Sequence, residues 1–324
     1  MFPTPIVYVF FNRPELTAIT FARIREQRPG RLHLIADGAR AGHPTDTERC
    51  AAARQIVEGT IDWPCTVTRD FSETNLGCGR RVSSGLTRAF AELGEAIVLE
   101  DDVLAHADFF GFCATLLARH RDDPRIHTIN GFTPLGEYTP SRGAAVASAF
   151  NCIWGWASWQ RAWKDYRFEI PEWRDDAVKE RIRRHVASPL TFDHHAHHFD
   201  TLLREHTDTW DFQWSFAMLR HERLALISAV NFIENLGFDG SATHTKAAEL
   251  FLWNLRAHSA VPTRRERPTA SSDLLHDRLY AAALMAATTE RIARFRRIAR
   301  SPALLALFRT GLVLKSPTTG GRGF

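Results

Sequence analysis

The sequence predicts an α/β fold in which helices flank a mainly parallel sheet, and three observations lead to this prediction. Short apolar runs alternate with helical patterns over the first 130 residues. Polar residues follow several of these runs directly, as they do at the carboxyl ends of parallel strands. The 324 residues are 44% apolar, which is enough to bury a large core.

The first half supplies most of the predicted elements. Continuous apolar runs, which are typical of strands buried on both faces, predict strands over residues 6–11, 32–36, 65–68, 96–99 and 126–129. Helical spacing of apolar residues predicts helices that begin at Pro14 and that cover residues 47–57, 83–93 and 108–120. Asp108 is the predicted N-cap of the last of these helices.

The pattern is looser beyond residue 140. Helices are predicted over 178–186, 210–219, 274–300 and 302–314, and a strand over 227–233. We divide the chain into an α/β half over residues 1–130, a tryptophan-rich half of the same domain over 131–260, and a linker with a basic helical extension over 261–324.

The net charge of +4 does not describe the whole chain. After Glu290 there are eight basic residues and no acidic one, and removing those eight from the 41 basic residues leaves 33 against 37 acidic residues. A nucleic-acid-binding protein normally carries a basic face across its body, so we expect no nucleic-acid partner.

Cysteine usage and the N-terminus bear on the compartment. The five cysteines are odd in number and scattered, which indicates reduced thiols rather than disulfides or a zinc site. The apolar run over residues 6–11 is too short for a signal peptide or a membrane span. We therefore expect a cytoplasmic protein.

The run over residues 96–99 ends in three consecutive carboxylates, Glu100, Asp101 and Asp102. Adjacent acids repel one another, so their position at a strand end suggests that a cation is held there. Oxygen ligands without Cys or His favour Mg²⁺ or Mn²⁺, which share their coordination with phosphates. The alternative is an acidic loop that precedes the next helix.

Two further polar residues follow predicted strands. Arg13 follows the first strand and Asp37 the second, so the topology brings both to the edge that carries the acids. A guanidinium and a carboxylate at these positions could hold a nucleotide. The alternatives are a surface arginine before a helix and an Asp-Gly turn.

Glycines and arginines open the helix that leads into the fourth strand. Gly77, Gly79, Arg80 and Arg81 at a helix N-terminus suit an anion, although the spacing is not that of a known phosphate-binding loop. The alternative is a helix start with solvated arginines.

Aromatic residues crowd the segment over residues 151–163. Trp154 and Trp156 could stack on the faces of an acceptor sugar, as could Trp210 further on. The alternative for each of these residues is packing in a tryptophan-rich core.

Asp211 lies between bulky apolar neighbours, where desolvation raises the pKa of a carboxyl and suits it to general base catalysis. The alternative is that Asp208 and Asp211 cap and charge the first turn of the next helix.

Two histidine-containing segments remain. The cluster of His194, His195, His197 and His198 has no recognised zinc spacing, and we interpret it as solvated loop histidines. The glycine-bearing loop over 235–244 carries Thr243 and His244, which could close over a diphosphate or complete a metal site.

Taken in order, these residues resemble the GT-A nucleotide-sugar-dependent glycosyltransferases, and most closely the N-acetylglucosaminyltransferase I-like group and its bacterial relatives. The resemblance spans about residues 5–245 and is closest around residues 100–110. It implies a Rossmann-like GT-A fold whose first half binds a UDP-sugar and whose second half binds a glycan or lipid-linked acceptor. The implied reaction inverts the anomeric centre and serves polysaccharide biosynthesis.

The resemblance also implies roles for single residues. Arg13 and Asp37 would contact uridine, and Arg81 lies near a further nucleotide contact. In the carboxylate triplet, Asp102 would bind Mn²⁺ or Mg²⁺, while Glu100 and Asp101 would contact the nucleotide sugar. Asp211 corresponds to the catalytic base, offset by one position from the family's Trp-Asp-Asp-Trp run.

Two other functions fit a similar sheet. A sugar-1-phosphate nucleotidylyltransferase would carry a glycine-rich first loop, whereas this chain has Phe11, Asn12 and Arg13 there. A non-catalytic glycan-binding protein would be expected to lack the carboxylates.

The basic helical extension raises a separate hypothesis about membranes. Arginines over residues 291–300 are followed by an apolar segment, a composition that suits peripheral contact with an anionic membrane surface. The alternative is a helix packed on the body with solvated arginines.

Overall fold

The computed structural model describes residues 1–141, 143–205, 207–237, 257, 272–286 and 289–309, without the side chains of residues 289 and 309. The strands among them are β1 (Ile6–Phe10), β2 (Arg31–Ala36), β3 (Thr66–Phe71), β4 (Glu95–Glu100), β5 (Val103–Ala105), β6 (Ile126–Asn130), β7 (Ala145–Ser148), β8 (Trp156–Trp159), β9 (Leu224–Ser228) and β10 (Ile233–Asn235). The helices are α1 (Pro14–Gln27), α2 (Asp46–Thr60), α3 (Cys78–Leu93), α4 (Ala107–Arg119), α5 (Gln160–Trp163), α6 (Asp176–Val186), α7 (Pro189–Arg204), α8 (Asp211–Arg220), α9 (Leu274–Leu284), α10 (Thr289–Ala299) and α11 (Pro302–Arg309), with a 3₁₀ turn at Pro171–Arg174.

Eight strands form one sheet in the order β3-β2-β1-β4-β8-β6-β9-β7. The first four strands in this order are parallel, β8 is antiparallel to both of its neighbours, β6 and β9 are parallel, and β7 is antiparallel to β9. The predicted fold class, a mainly parallel α/β sheet flanked by helices, is confirmed.

The apolar strand sequences explain why helices cover both faces of this sheet. All five residues of β1 are buried. Because side chains alternate along a strand, Tyr8 packs into one core with Leu34 and Leu99, while Val7 packs into another with Val98. A strand that is apolar at every position is stable only between two packed layers.

The second half departs from the sequence predictions. The tryptophan-rich segment contains β8, which the aromatic pattern did not reveal, and β7 was not predicted either. The predicted strand over 227–233 is divided between β9 and β10, because the chain leaves the large sheet to pair β10 with β5. The division at residue 130 lies within one continuous sheet, since β6 pairs with both β8 and β9.

Two predictions about helices are also wrong in detail. The histidine cluster lies on α7, where His195 is buried, rather than in a solvated loop. The N-cap of α4 is His106, whose side chain accepts from the amide of Asp108, so Asp108 belongs to the first turn. Sequence patterns locate helix ends less reliably than helices themselves.

The C-terminal helices pack on the body through α9. Asp277 is fully buried and accepts hydrogen bonds from the Ser148 hydroxyl at 2.6 Å and the Ala149 amide at 3.0 Å. Arg296 of α10 is buried as well and donates to the carbonyl of Pro134 at 3.0 Å. The predicted single helix over 274–300 is therefore two helices, α9 and α10, that share one core.

Several apolar residues of this extension face that core, whereas Leu307 is 45% exposed. Ile292, Ile298, Leu305 and Phe308 are all buried with α9. These contacts are those expected of the packed-helix alternative, and contact with a membrane surface stays a prediction. No helix within the described residues has the length and apolar character needed to cross a bilayer.

Replacing Asp277 with alanine leaves the Ser148 hydroxyl and the Ala149 amide buried without their acceptor. We expect Asp277→Ala to lower the free energy of unfolding, measured by urea denaturation, by about 2–4 kcal/mol. The matched control is Asp176→Ala, because the Asp176 side chain is 97% exposed, and its effect should stay within about 0.5 kcal/mol. Equal unfolding free energies for the two variants would contradict this account of the extension.

Candidate functional site

The carboxyl ends of β1, β2 and β4 meet at one edge of the sheet. Register pairs Phe10 with Ala36 and Val9 with Glu100, so the residues that follow these strands lie side by side. Arg13, Asp37 and the carboxylate triplet are therefore brought to the same edge, which is where open α/β sheets bind ligands.

Asp101 holds the first and fourth strands together at this edge. Its Oδ2 atom accepts from the amide of Phe11 at 3.0 Å, and its backbone carbonyl accepts from the Thr20 hydroxyl at 3.2 Å. The Tyr8 hydroxyl lies 2.7 Å from that of Thr20 and extends the buried network. Burial, against the opposing charge of Arg13, raises the pKa of Asp101 to about 6.

Arg13 pairs with the acids rather than standing free. Its Nη1 atom donates to Asp102 Oδ2 at 3.0 Å and lies 3.6 Å from Asp101 Oδ1. The Arg13 side chain is 48% exposed and that of Asp102 is 22% exposed, so this pair faces the solvent side of the edge. A uridine contact by Arg13 stays a prediction.

The chain beyond β10 returns to Asp102. The amide of Leu236 donates to the Asp102 carbonyl at 2.7 Å. A Cβ atom at position 237 would come within 2.6 Å of Asp102 Oδ2, so Gly237 lets the backbone approach the Asp102 carboxylate without displacing it. The glycine-bearing loop thus begins against the predicted metal ligand. Thr243 and His244 lie outside the described residues.

Glu100 is a buried acid whose charged form is disfavoured by its surroundings. Burial raises the pKa of Glu100 well above its usual value, and the charges of Asp102, Asp101 and Asp211 raise it further. Its Oε1 atom is buried and has no hydrogen-bond partner among the described residues. The charge of Asp211 thus acts on Glu100 although the two residues are more than a hundred positions apart in the sequence.

Asp211 begins α8 and is partly buried. Burial raises the pKa of Asp211, while a hydrogen bond from the Thr209 hydroxyl favours its charged form. Its surroundings are therefore those expected of a general base, with a desolvated carboxylate held in place by a neighbouring donor.

Asp208 explains how Asp211 reaches this position. Its two carboxylate oxygens accept from the amides of Cys78 and Gly79 at 2.9 and 2.8 Å, in the first turn of α3. Gly77 has a φ of 81°, and a Cβ atom there would lie 2.6 Å from Asp208 Oδ2. The helix N-terminus does hold an anion, as the sequence suggested, but the anion belongs to the chain itself.

Capping of the next helix, the alternative considered from the sequence, is not the role of the Asp208 carboxylate, and the sequence did not predict its contact with α3. Side chains before a helix normally cap that helix, and nothing in the local spacing indicates a partner 130 positions away. The available signal was the pair of glycines at the start of α3, Gly77 and Gly79, which permits the close approach of an acidic group.

Asp37 and Arg81 are engaged in structural contacts. The Asp37 carboxylate accepts from the amides of Leu76 and Gly77 at 3.0–3.1 Å and so holds the loop before α3. Arg81 is 2% exposed, donates to the Ala36 carbonyl and pairs with Asp70 at 2.9 Å. Nucleotide contacts by Asp37 and Arg81 stay predictions, and Arg81 offers little free surface for one.

The tryptophans form a core behind the acids. Trp156 and Trp210 are 0% and 2% exposed and pack with Trp163 and Trp214 at ring-centroid distances of 4.8–6.2 Å. These contacts are those of the core alternative, and the rings have no open face for a sugar. Trp154 is only partly buried and packs edge-on against Phe132, so it is the one of the three with exposed ring surface.

Three of the four histidines pack against the protein, whereas His197 is exposed. His195 lies 3.1 Å from the Ala149 carbonyl, and His198 stacks on Phe212 at 4.0 Å. Burial lowers the pKa of His194 to about 2 and that of both His195 and His198 to about 4. Neutral, packed histidines are structural here.

Whether a divalent metal ion fits beside Asp102 depends on the ligand atoms that are present there. Within the part of the chain that the structure describes, no three His, Cys, Asp or Glu side chains are arranged as a metal site. Burial and the nearby acids raise the pKa of Cys78 to about 12, which leaves oxygen atoms as the available ligands. One partly exposed carboxylate suits Mg²⁺ or Mn²⁺ whose remaining ligands are water and phosphate.

Comparison with known proteins gives distant matches only. No protein-family model and no curated protein matches the chain. Among solved structures, TarS residues 1–349 from S. aureus is 9% identical with a TM-score of 0.42, and the match covers 93% of this chain and 73% of that one. The inositol-1-phosphate CTP transferase from T. maritima is 8% identical with a TM-score of 0.40, covering 78% and 96%.

A third match is a UDP-glucose pyrophosphorylase complexed with UDP-glucose, at 7% identity and a TM-score of 0.34, covering 71% of this chain and 91% of that one. Assignment to the N-acetylglucosaminyltransferase I-like group finds no support in these comparisons. At such TM-scores the matches carry no argument about function, which must rest on the residues of the chain.

Asp101→Asn removes a buried charge while keeping an oxygen that can accept from the Phe11 amide. The pKa of Asp101 in the folded state is raised from 3.8 to about 6. Ionisation of this carboxyl therefore lowers the free energy of unfolding progressively above about pH 4, whereas below about pH 4 it has no effect. In EDTA at pH 8 we therefore expect Asp101→Asn to raise the free energy of unfolding by about 1–3 kcal/mol, a gain that disappears near pH 4.

Urea denaturation at both pH values measures this difference. Asp176→Asn, at an exposed position, is the control and should show no pH-dependent gain. A variant that is less stable than the wild type at pH 8 would contradict the prediction.

Proposed function

We propose that this protein is a glycosyltransferase that moves a sugar, GlcNAc or another hexose, from a UDP-sugar to a hydroxyl group of a glycan or lipid-linked acceptor. The observation that carries the proposal is the carboxylate triplet at the carboxyl edge of the sheet, where Arg13 contacts Asp101 and Asp102 and the charge of Asp211 acts on Glu100. The triplet suits the donor diphosphate through a metal ion, and the separate desolvated carboxylate suits the acceptor.

The donor side is assigned to Arg13, Asp101 and Asp102. A Mg²⁺ or Mn²⁺ ion bound to Asp102 would offset the charge that develops on the departing diphosphate. The Arg13 guanidinium, already within 3.0 Å of Asp102, can turn toward a phosphate or uracil oxygen because its side chain is half-exposed. Asp101 keeps Asp102 in place through the Phe11 amide.

The acceptor side is assigned to Asp211. Its carboxylate takes the proton of the acceptor hydroxyl as the acceptor oxygen bonds to the anomeric carbon and the bond from that carbon to the diphosphate oxygen breaks. One base and one displacement invert the anomeric centre, by analogy with inverting glycosidases. The Thr209 hydroxyl orients the carboxylate, and the tryptophan core behind it excludes water.

Asp102→Ala and Asp211→Asn separate these two roles. Asp102→Ala should abolish the Mn²⁺-dependent part of UDP binding, measured by isothermal titration calorimetry with and without the metal. Asp211→Asn should keep UDP affinity within about twofold while lowering kcat for UDP release by roughly 10²–10⁴.

The assay screens UDP-GlcNAc, UDP-Gal, UDP-Glc and GDP-sugars for nucleotide release, with Asp176→Asn as the matched exposed control. Unchanged turnover in Asp211→Asn would remove its assignment as the base. Release of pyrophosphate from UTP and a sugar 1-phosphate, without UDP release from any donor, would replace glycosyl transfer with nucleotidyl transfer.

A further inference from the structure

The C-terminal helices α10 and α11 bury one side and expose another. Ile292, Ile298, Leu305 and Phe308 lie in the core that these helices share with α9. Other residues of both helices reach solvent. None of the roles assigned above uses these exposed residues.

The exposed side of α10 consists mainly of arginines. Within residues 290–300 the exposed side chains are those of Glu290, Arg291, Arg294, Arg297 and Arg300. The four arginines follow one another at intervals of three residues, so each lies beside the next on the helix surface. Like charges at this spacing repel one another and destabilise a helix. An anionic partner that faces the arginines would offset this repulsion.

Helix α6 is an exposed helix of this chain with a different charge pattern. Its acids and bases alternate along the helix, so that Lys179 lies 3.4 Å from Asp176 and Glu180 lies 3.6 and 3.9 Å from Arg183 and Arg184. The arginines of α10 are not interleaved with acids in this way, since no Asp or Glu occurs after its first turn.

One ion pair offsets part of the positive charge. The Glu137 carboxylate lies 3.9 Å from the Arg300 guanidinium, and both side chains are 47% exposed. Together with Glu290 this makes two exposed carboxylates for the four arginines. The remaining sequence, residues 301–324, adds three basic residues and no acidic one. The charge of this surface is therefore positive.

The exposed side of α11 is apolar. Over residues 302–308 the exposed residues are Pro302, Ala303, Ala306 and Leu307, and Leu307 is 45% exposed. A nucleic acid would be matched by the arginines alone and would gain nothing from this apolar side. A bilayer with anionic lipids offers both phosphates and an apolar interior, and helices that lie at its surface combine basic with apolar residues.

We propose that the arginine side of α10 and the apolar side of α11 form a docking surface for an anionic lipid bilayer. The arginines contact the lipid phosphates, and the apolar side of α11 enters the headgroup region. The contact is peripheral, because both helices keep their buried sides on the core shared with α9. This inference goes beyond the proposed function, since binding to lipid does not depend on whether the chain transfers a sugar.

The test is sedimentation of the full chain with sucrose-loaded vesicles of phosphatidylcholine, with and without phosphatidylglycerol. We expect the wild type to sediment only with the vesicles that contain phosphatidylglycerol. The bound fraction should fall as the NaCl concentration rises from about 0.1 M to about 0.5 M, because salt screens exposed charges.

The double variant Arg294→Gln/Arg297→Gln tests the arginine side of α10. Glutamine has nearly the helix propensity of arginine, so α10 should remain folded. The affinity for the anionic vesicles should fall about 20–30-fold, since each arginine near an anionic surface contributes about a factor of five. The matched control is Arg23→Gln/Arg184→Gln, which removes the same charge at exposed positions of α1 and α6 and should bind as the wild type does.

Ala306→Glu tests the apolar side of α11 by placing a carboxylate at an exposed position. It should lower the affinity for the anionic vesicles at least about fivefold, because the carboxylate is repelled by the lipid phosphates. Ala51→Glu adds the same charge at an exposed position of α2 and should leave binding unchanged. Circular dichroism confirms that each variant is folded.

Three outcomes would overturn the proposal. The first is a wild type that fails to sediment with vesicles or sediments equally with both kinds. The second is vesicle binding that is unchanged in both the arginine variant and Ala306→Glu. The third is binding of a labelled DNA duplex without binding of vesicles, which would assign the arginines to a nucleic acid. Titration with UDP and Mn²⁺ keeps the proposed function separate, because vesicle binding without UDP binding would leave the docking surface and remove the glycosyltransferase.

Discussion

Hydrogen bonds between the Asp208 carboxylate and the first turn of α3, here called the Asp208 clasp, connect the two halves of the molecule. The first half supplies a helix N-terminus with unpaired amides, and the second half supplies the carboxylate that satisfies two of them. Helix N-termini attract negative charge through these amides and the helix dipole. Because Asp208 is held in this way, the start of α8 is positioned relative to α3, and the charge of Asp211 acts on Glu100 although the two are far apart in sequence.

The dry environment of the site follows from what packs behind it. Strand β8 lies between β4 and β6 and brings Trp156 against Trp210 and Trp214. These rings occupy the space that water would otherwise take, which is why burial leads the causes that raise the pKa values of Glu100 and Asp211. Trp156 and Trp210, two of the three residues that were predicted to stack on a sugar, are instead part of this core.

Charge balance at this edge explains the positions of its other groups. Arg13 is the cation that the structure places against Asp101 and Asp102, and its single charge only partly offsets the three consecutive carboxylates of the triplet. The site has an excess of negative charge that a divalent ion with a diphosphate would neutralise. The Asp37 carboxylate, by contrast, accepts hydrogen bonds from the backbone amides of the loop before α3.

The first four strands of the sheet and their helices were predictable, because continuous apolar runs and helical periodicity are local properties. The same locality explains the failures. Strand β8 was not predicted because it is aromatic rather than β-branched, and α7 was not predicted because its histidines were interpreted as loop residues. The break between α9 and α10 arises because both helices pack on one core. In each case tertiary contacts, which local sequence patterns do not show, decided the structure.

For the site, short-range pattern was sufficient to predict that Arg13, Asp37 and the Glu100 triplet share one sheet edge, since parallel strands of similar length end together. Long-range packing settled which of these groups remain available. It engaged Asp37 and Arg81 in backbone contacts, buried Trp156 and Trp210, and placed Asp211 where its charge acts on Glu100. A helix terminus accepts whichever carboxylate the fold delivers to it, and no spacing along the chain specifies that partner.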